Sequence, residues 1–165
     1  MKLTPYNRIA AVNYAHKWAY QRNPAYYNFD SLGGDCTNYA SQVIYAGSGV
    51  MNFTPVTGWF YRSSYDRTAS WTGVEYLYNF LTKNKGPGPF ALSVDVSEIK
   101  PGDIVQLKLS KAVFSHCPVV VSVGRPASVN NILVAAHTID VDYLPLTHYN
   151  YRDIRFLHIG GVYKY

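Results

Sequence analysis

The spacing of apolar residues changes about half-way along this chain. In the first half it is helical. Ile9, Val12, Ala15 and Ala19, with Trp18 beside them, recur at intervals of three and four, which marks one face of a helix. Thr4-Pro5 reads as an N-cap followed by proline at the first helical position, and Pro24 closes the element. Tyr39, Ala40, Val43, Ile44 and Ala46 form a second helical set after Gly33-Gly34, with Gly47 where a helix would stop. Thr72 through Glu75 matches a capping box. It predicts a third helix through Glu75, Leu77, Tyr78 and Leu81, ended by Gly86-Pro87-Gly88-Pro89. Between the second and third sets, residues 48–70 have no period and are rich in Gly, Ser and aromatic residues. Such long irregular segments form walls and lids.

The second half reads as strands. Pro101-Gly102-Asp103 is a turn before the apolar run Ile104-Val105-Gln106-Leu107. Val113 to Val123 and Ile132 to Ala136 read as buried strands, and Arg155 to Tyr163 as a last one, bulged at Gly160-Gly161. Helices first and an antiparallel sheet second give an α+β class, with N-terminal helices packed on the sheet. No repeat or linker divides the chain, so residues 1–165 are expected to form a single domain.

Composition narrows the function. Hydrophobic residues make up 48% of the chain and charged ones only 15%, which excludes a disordered chain and leaves Asn, Ser, Thr and sixteen tyrosines to supply the polar surface. The net charge of +5 favours anionic surfaces, but no Lys/Arg run occurs, so nucleic acid is not the expected partner. Two cysteines make neither a disulfide framework nor a zinc site. No apolar run spans a bilayer, and Lys2 is followed by Thr4, Pro5, Tyr6 and Asn7 where a signal peptide would be apolar.

Candidate chemistry centres on Gly33-Gly34-Asp35-Cys36-Thr37-Asn38. The glycines allow a tight turn, and Cys36 then falls in the first turn of a helix. Unpaired amides and the helix dipole favour negative charge there, the setting in which a thiol's pKa is lowered and a nucleophile made. The competing reading is a small buried core residue.

A thiol nucleophile needs an imidazole base and a group to orient it. If residues 114–123 and 132–137 pair as a hairpin folded near residue 127, His116 lies opposite residue 137 or 138. His116 and His137 then become cross-strand neighbours, base and orienter, within the uncertainty of one residue in register. The two with Asp140 are also a conceivable metal set, but that leaves Cys36 without a role, and no metal or other cofactor is expected. Cys117, next to His116, is expected to face away from Cys36 as core. Trp59, Tyr61 and Trp71 are candidates for a substrate groove, with core packing as the competing reading.

GGDCTNYASQ, PGDIVQ, SHCPVVVSVG and ILVAAHTID closely resemble the bacterial putative amidase domain family, which is related to NlpC-type, papain-like cysteine peptidases. YNRIAAVNYAHKWAYQRNPAYYNFD and SWTGVEYLYNFL are similar to its N-terminal and middle parts. The resemblance runs from Tyr6 to about Ile159. It implies a papain-like fold, with Cys36 as nucleophile, His116 as base and His137 as the third polar residue. Asp35 is implied as local support and Asp140 as the alternative third residue. Cys117-Pro118 departs from the pattern; proline there cannot donate an amide hydrogen bond, so an edge or bulge is expected.

The reading is therefore a thiol-dependent amidohydrolase or peptidase acting through an acyl-enzyme. The resemblance implies a peptide amide in bacterial peptidoglycan as substrate, and an extracellular or wall-associated location, with a cytoplasmic one left open. The alternatives are an inactive wall-binding module and an acyltransferase on the same fold.

Overall fold

The computed structural model describes residues 1–165. The elements are β1 (Lys2–Thr4), α1 (Arg8–Trp18), α2 (Cys36–Ser48), the hairpin β2 (Tyr61–Ser63) and β3 (Asp66–Arg67), α3 (Ala69–Thr72) and α4 (Val74–Lys83). Then come β4 (Gly88–Val94), β5 (Ile104–Lys108), β6 (Phe114–His116), β7 (Val119–Val123), β8 (Ile132–Ala136), β9 (Val141–Pro145) and β10 (Asp153–Lys164). This is α+β. One antiparallel sheet runs β1-β10-β5-β7-β8-β9, with β4 also on β10 and β6 also on β5. No helix is long and apolar enough to cross a membrane.

Strand alternation gives the sheet two buried faces. Ile104, Val119, Val121 and Leu157 lie in one apolar cluster with Tyr39, Val43, Ile44, Trp71 and Leu77 of the helices and with Trp59 of the segment before β2. Val105, Leu107, Val120, Val134 and Phe156 point to the other side and pack with Ile99 and Leu146. Each such side chain contributes roughly 1.5–3 kcal/mol when fully buried.

Several boundaries differ from the sequence reading. Helix α1 begins at Arg8, capped by the Asn7 side chain, which accepts the Ala10 amide at 3.0 Å. Lys2–Thr4 instead pairs with the end of β10. The face of α1 turned inward is Ala11, Ala15 and Ala19, all fully buried, while Ile9 is exposed. Alanines let α1 lie close on α2, where larger side chains would hold it off. Helix α2 runs through Gly47, whose missing Cβ leaves the space that the Tyr6 ring occupies. It ends at Gly49, left-handed at φ 67°, whose amide donates to Tyr45 O. The capping box at Thr72 does not form. The Thr72 hydroxyl accepts from Arg67, and Gly73 precedes α4 without a side-chain cap.

In the strand half, β5, β8 and β10 fall where expected, and the register of β10 on β4 shifts between Ile159 and Gly161. Strands β4 and β9 were not anticipated; Gly88-Pro89 starts the first as well as following a helix. The expected strand 113–123 is broken at Cys117-Pro118 into β6 and β7. The pairing of β7 with β8 begins in the counted register, Val119 opposite Ala135, then slips by one residue between Val120 and Ser122, so that Val123 lies opposite Ile132. Strand β6 does not continue that ladder. His116 pairs with Leu107 of β5 instead.

Candidate active site

Cys36 opens α2, and its residue is 7% exposed. Its thiol lies 4.0 Å from the Ser115 carbonyl and 3.8 Å from the Thr37 hydroxyl. The Cys117 backbone amide lies near enough to favour the thiolate form. Residues 115 and 117 therefore bracket the sulfur, and His116 lies between them. The His116 imidazole is buried and has one polar partner. Its Nε2 is 3.2 Å from the Tyr149 hydroxyl, with the rings 5.1 Å apart. Tyr149 lies near enough to Cys36 that a thiolate there would raise the tyrosine hydroxyl's pKa. Cys36, His116 and Tyr149 thus come together from the start of a helix, the end of a strand and the segment after β9.

Electrostatics give this group a neutral resting state. Burial pushes the Cys36 thiol above its ordinary value, and Thr37 and the Cys117 amide offset only part of this. The lowered pKa expected from the helix start is therefore overturned by desolvation, a term that sequence position does not reveal. Burial also lowers His116 to about 4. Burial raises the Tyr149 hydroxyl to about 12, a thiolate at Cys36 adding to it.

His137 stands elsewhere. Its Nδ1 is 2.6 Å from Asp35 Oδ2 and its Nε2 is 2.7 Å from the Trp18 carbonyl. Its ring stacks on Tyr39 with centroids 4.0 Å apart. Both nitrogens are committed, so His137 does not orient His116. The reason is the break at Pro118, which removes His116 from the β7–β8 ladder on which the expected pairing depended. Asp140 does not orient it either, since its carboxylate is held by Arg22 at 2.8 and 2.9 Å. No three His, Cys, Asp or Glu side chains are grouped to hold a metal ion.

What His137 does is hold Asp35, the residue before the nucleophile. Asp35 is fully buried. Its Oδ1 accepts from the Phe29 amide and the Asn38 side chain, each at 2.9 Å, and Arg22 Nε lies 3.4 Å from Oδ2. Although burial opposes it, hydrogen bonding from His137, Asn38 and Phe29 keeps this carboxyl below its ordinary pKa. The Asp35 amide donates to Thr138 Oγ1 at 2.8 Å. Thr138 and Ile139 form the tip between β8 and β9 with φ of 59° and 64°, a conformation costing β-branched residues roughly 1–3 kcal/mol each. Gly34, at φ 98°, lets the tip approach, because a Cβ there would meet Thr138 Oγ1 at 3.0 Å. The hairpin tip thus clamps the loop that delivers Cys36.

The other expected residues are core. Trp59 and Trp71 are fully buried and Tyr61 nearly so. The Trp71 indole donates to Asn38 and the Trp59 indole to Ser41, so both brace α2 from behind. Cys117 lies in the same apolar cluster as Cys36 and not on the opposite face, because the break at Pro118 interrupts strand alternation. Its sulfur accepts from Gln106 Nε2 at 3.6 Å, and both cysteines are free. Tyr149 went unrecognised. Nothing in its local sequence distinguishes it from the other tyrosines, and it reaches His116 only through the fold.

Against known families, residues 5–159 match the putative amidase domain. The chain belongs to that family. A Bacillus subtilis (strain 168) relative, the uncharacterized protein YhbB, is 35% identical over 140 residues, covering 82% of this chain and 42% of its own length. The chain thus spans about two-fifths of that relative. No solved structure matches. Membership points to amide hydrolysis at the level of the family.

Proposed function

We propose that this putative amidase domain is a thiol amidohydrolase of papain-like, NlpC-related architecture, with Cys36 as nucleophile, His116 as base and Tyr149 as the group that positions His116. The observation that carries this is the bracketing of the Cys36 sulfur by the backbone on either side of His116. His116 Nδ1 has no protein partner, and Nε2 faces Tyr149. For Nδ1 to accept a proton, Nε2 must carry one and donate it to the tyrosine oxygen, which fixes the tautomer.

The neutral pair then reacts in order. The Cys36 thiol passes its proton to His116 as sulfur attacks the amide carbonyl carbon. The Cys36 amide, first in α2 and without an intrahelical partner, faces the developing oxyanion. The tetrahedral intermediate collapses, the C–N bond breaks and the imidazolium gives its proton to the departing amine. Water, deprotonated by His116, attacks the thioester and releases the acid and the thiol.

Peptidoglycan peptide amides are the proposed substrate. The family membership, the net charge of +5 and the tyrosine-rich surface support this reading, and it would place the working protein on the wall side of the membrane. The 7% exposure of Cys36 favours a second reading, acyl transfer, since a shielded thioester meets water slowly.

Incubating the chain with muropeptide fragments and reading its intact mass tests the proposal. An acyl adduct mapped to Cys36, with soluble amine released, is the expected result. Turnover that survives Cys36→Ala overturns it. Adding an amine acceptor separates hydrolysis from transfer by the product formed.

A further inference from the structure

A cavity of about 590 Å³ lies between the loop 52–58, the outer part of α4 and residues 84–86. Its size is that of a small-ligand site, and none of Asp35, Cys36, His116, His137 or Tyr149 lines it. Its wall has no acidic residue and includes Lys83 and Lys85. Neither lysine takes part in any ion pair of the molecule. Asn52, Ser70 and Asn84 of the lining are tied up in hydrogen bonds within the chain, but three other polar groups are free. The half-buried amide of Asn79 and the hydroxyls of Thr54 and Thr57 have no hydrogen-bond partner within the chain. Amides and hydroxyls both donate and accept, as do the hydroxyls of a sugar. The Tyr76 ring, 63% exposed, provides an apolar wall.

The loop has an unusual construction. Asn52 and Trp59 exchange backbone hydrogen bonds of 2.9 and 2.7 Å, and the Gly58 amide donates to Thr54 O at 2.9 Å. At the tip the Thr57 amide donates to Pro55 O at 2.7 Å, a three-residue turn with Val56 at φ 67° in its centre. Turns of this hand are rare and strained, and a β-branched residue in that region is an outlier. Glycine or asparagine would relieve the strain. Val56 instead presents its side chain, 86% exposed, at the cavity. It adds nothing to the core, and strain of this kind collects at ligand clamps.

We infer that this cavity binds an anionic saccharide, a sugar carrying a carboxylate or phosphate, with its hydroxyls on Asn79, Thr54 and Thr57 and its anion on Lys83 and Lys85. An extended peptide would seek open backbone groups, but those of Asn52 and Trp59 already bond to each other. A nucleic acid would need a longer basic track than two lysines. The inference does not rest on the catalytic reading.

Calorimetric titration of the full chain tests it, with an oligogalacturonate and glucose 6-phosphate as the carboxylate and phosphate probes and a neutral galactose oligomer as control. Saturable binding of one or both acidic probes is expected, with the neutral oligomer at least about tenfold weaker. Lys83→Glu with Lys85→Glu is expected to weaken binding about tenfold or more. Asn79→Ala, which leaves the charge unchanged, should weaken it about three- to tenfold. Cys36→Ala should not affect binding. Lys100→Glu with Arg125→Glu, charges remote from this cavity, should leave affinity within about twofold after salt correction. Failure of both acidic probes overturns the inference. So does an effect of the remote reversal equal to that at Lys83 and Lys85, or no effect of Asn79→Ala in a variant whose circular dichroism is unchanged.

Discussion

His116 and His137 are both almost fully buried, and sequence spacing made them partners. The fold separates them by how completely each is satisfied. His137 is held at both nitrogens, by Asp35 and the Trp18 carbonyl, and is stacked on Tyr39. His116 has one partner, Tyr149 at Nε2, and an Nδ1 with no hydrogen-bond partner in the chain. A base needs an unoccupied nitrogen; a structural histidine needs none. The unoccupied nitrogen, not burial or proximity to a polar neighbour, tells the two apart.

The largest expected effect falls on the open side of this contrast. Cys36→Ala should reduce amide hydrolysis to background, and His116→Ala should lower kcat/KM by about 10²–10⁴, both with unchanged circular dichroism. If His137→Ala lost as much activity at unchanged stability, the two histidines would have to exchange roles.

Next comes the closed side. His137→Ala or Asp35→Ala breaks a buried hydrogen bond and leaves its partner unsatisfied, which should cost about 1–3 kcal/mol of stability, read from the denaturant midpoint. Unchanged midpoints would show that the clamp on the Cys36 loop is not structural.

A third effect lies in acid. His116 has a native pKa of about 4 against an unfolded value near 6.5. Between those pH values the unfolded state binds more protons, so stability should fall as pH is lowered from about 6.5 to 4, by up to about 3 kcal/mol. His116→Gln should flatten this limb. An equally steep limb in the variant would assign the slope to other groups.

The smallest effect sharpens the assignment of Tyr149. Tyr149→Phe should lower kcat/KM about tenfold, the order of one hydrogen bond, and displace the His116 limb of the pH–rate profile. A fall in rate with an unmoved profile would indicate packing alone.

Much of this was legible in the chain. The period-four set from Tyr39 to Ile44 placed Cys36 at a helix start, and the apolar runs placed β5, β8 and β10. Local pattern succeeded where one element governs the outcome. It failed where two elements meet. Proline at 118 breaks a run that reads as one strand, and that break takes His116 off the ladder that would have set it beside His137. Trp59 and Trp71 look like groove residues because their segment is irregular, but they are anchored by the buried polar groups of α2, Ser41 and Asn38. Tyr149 was invisible because its partner lies 33 positions away.

The alanine face of α1 sets a dimension. With Ala11, Ala15 and Ala19 against α2, the last turn arrives near enough for the Trp18 carbonyl to meet His137 and for Arg22 to meet Asp35, Asp30 and Asp140. The helix acts as a spacer whose thickness is one methyl group per turn. Side chains with no chemistry of their own thereby fix a mechanical tolerance for the loop that presents the nucleophile.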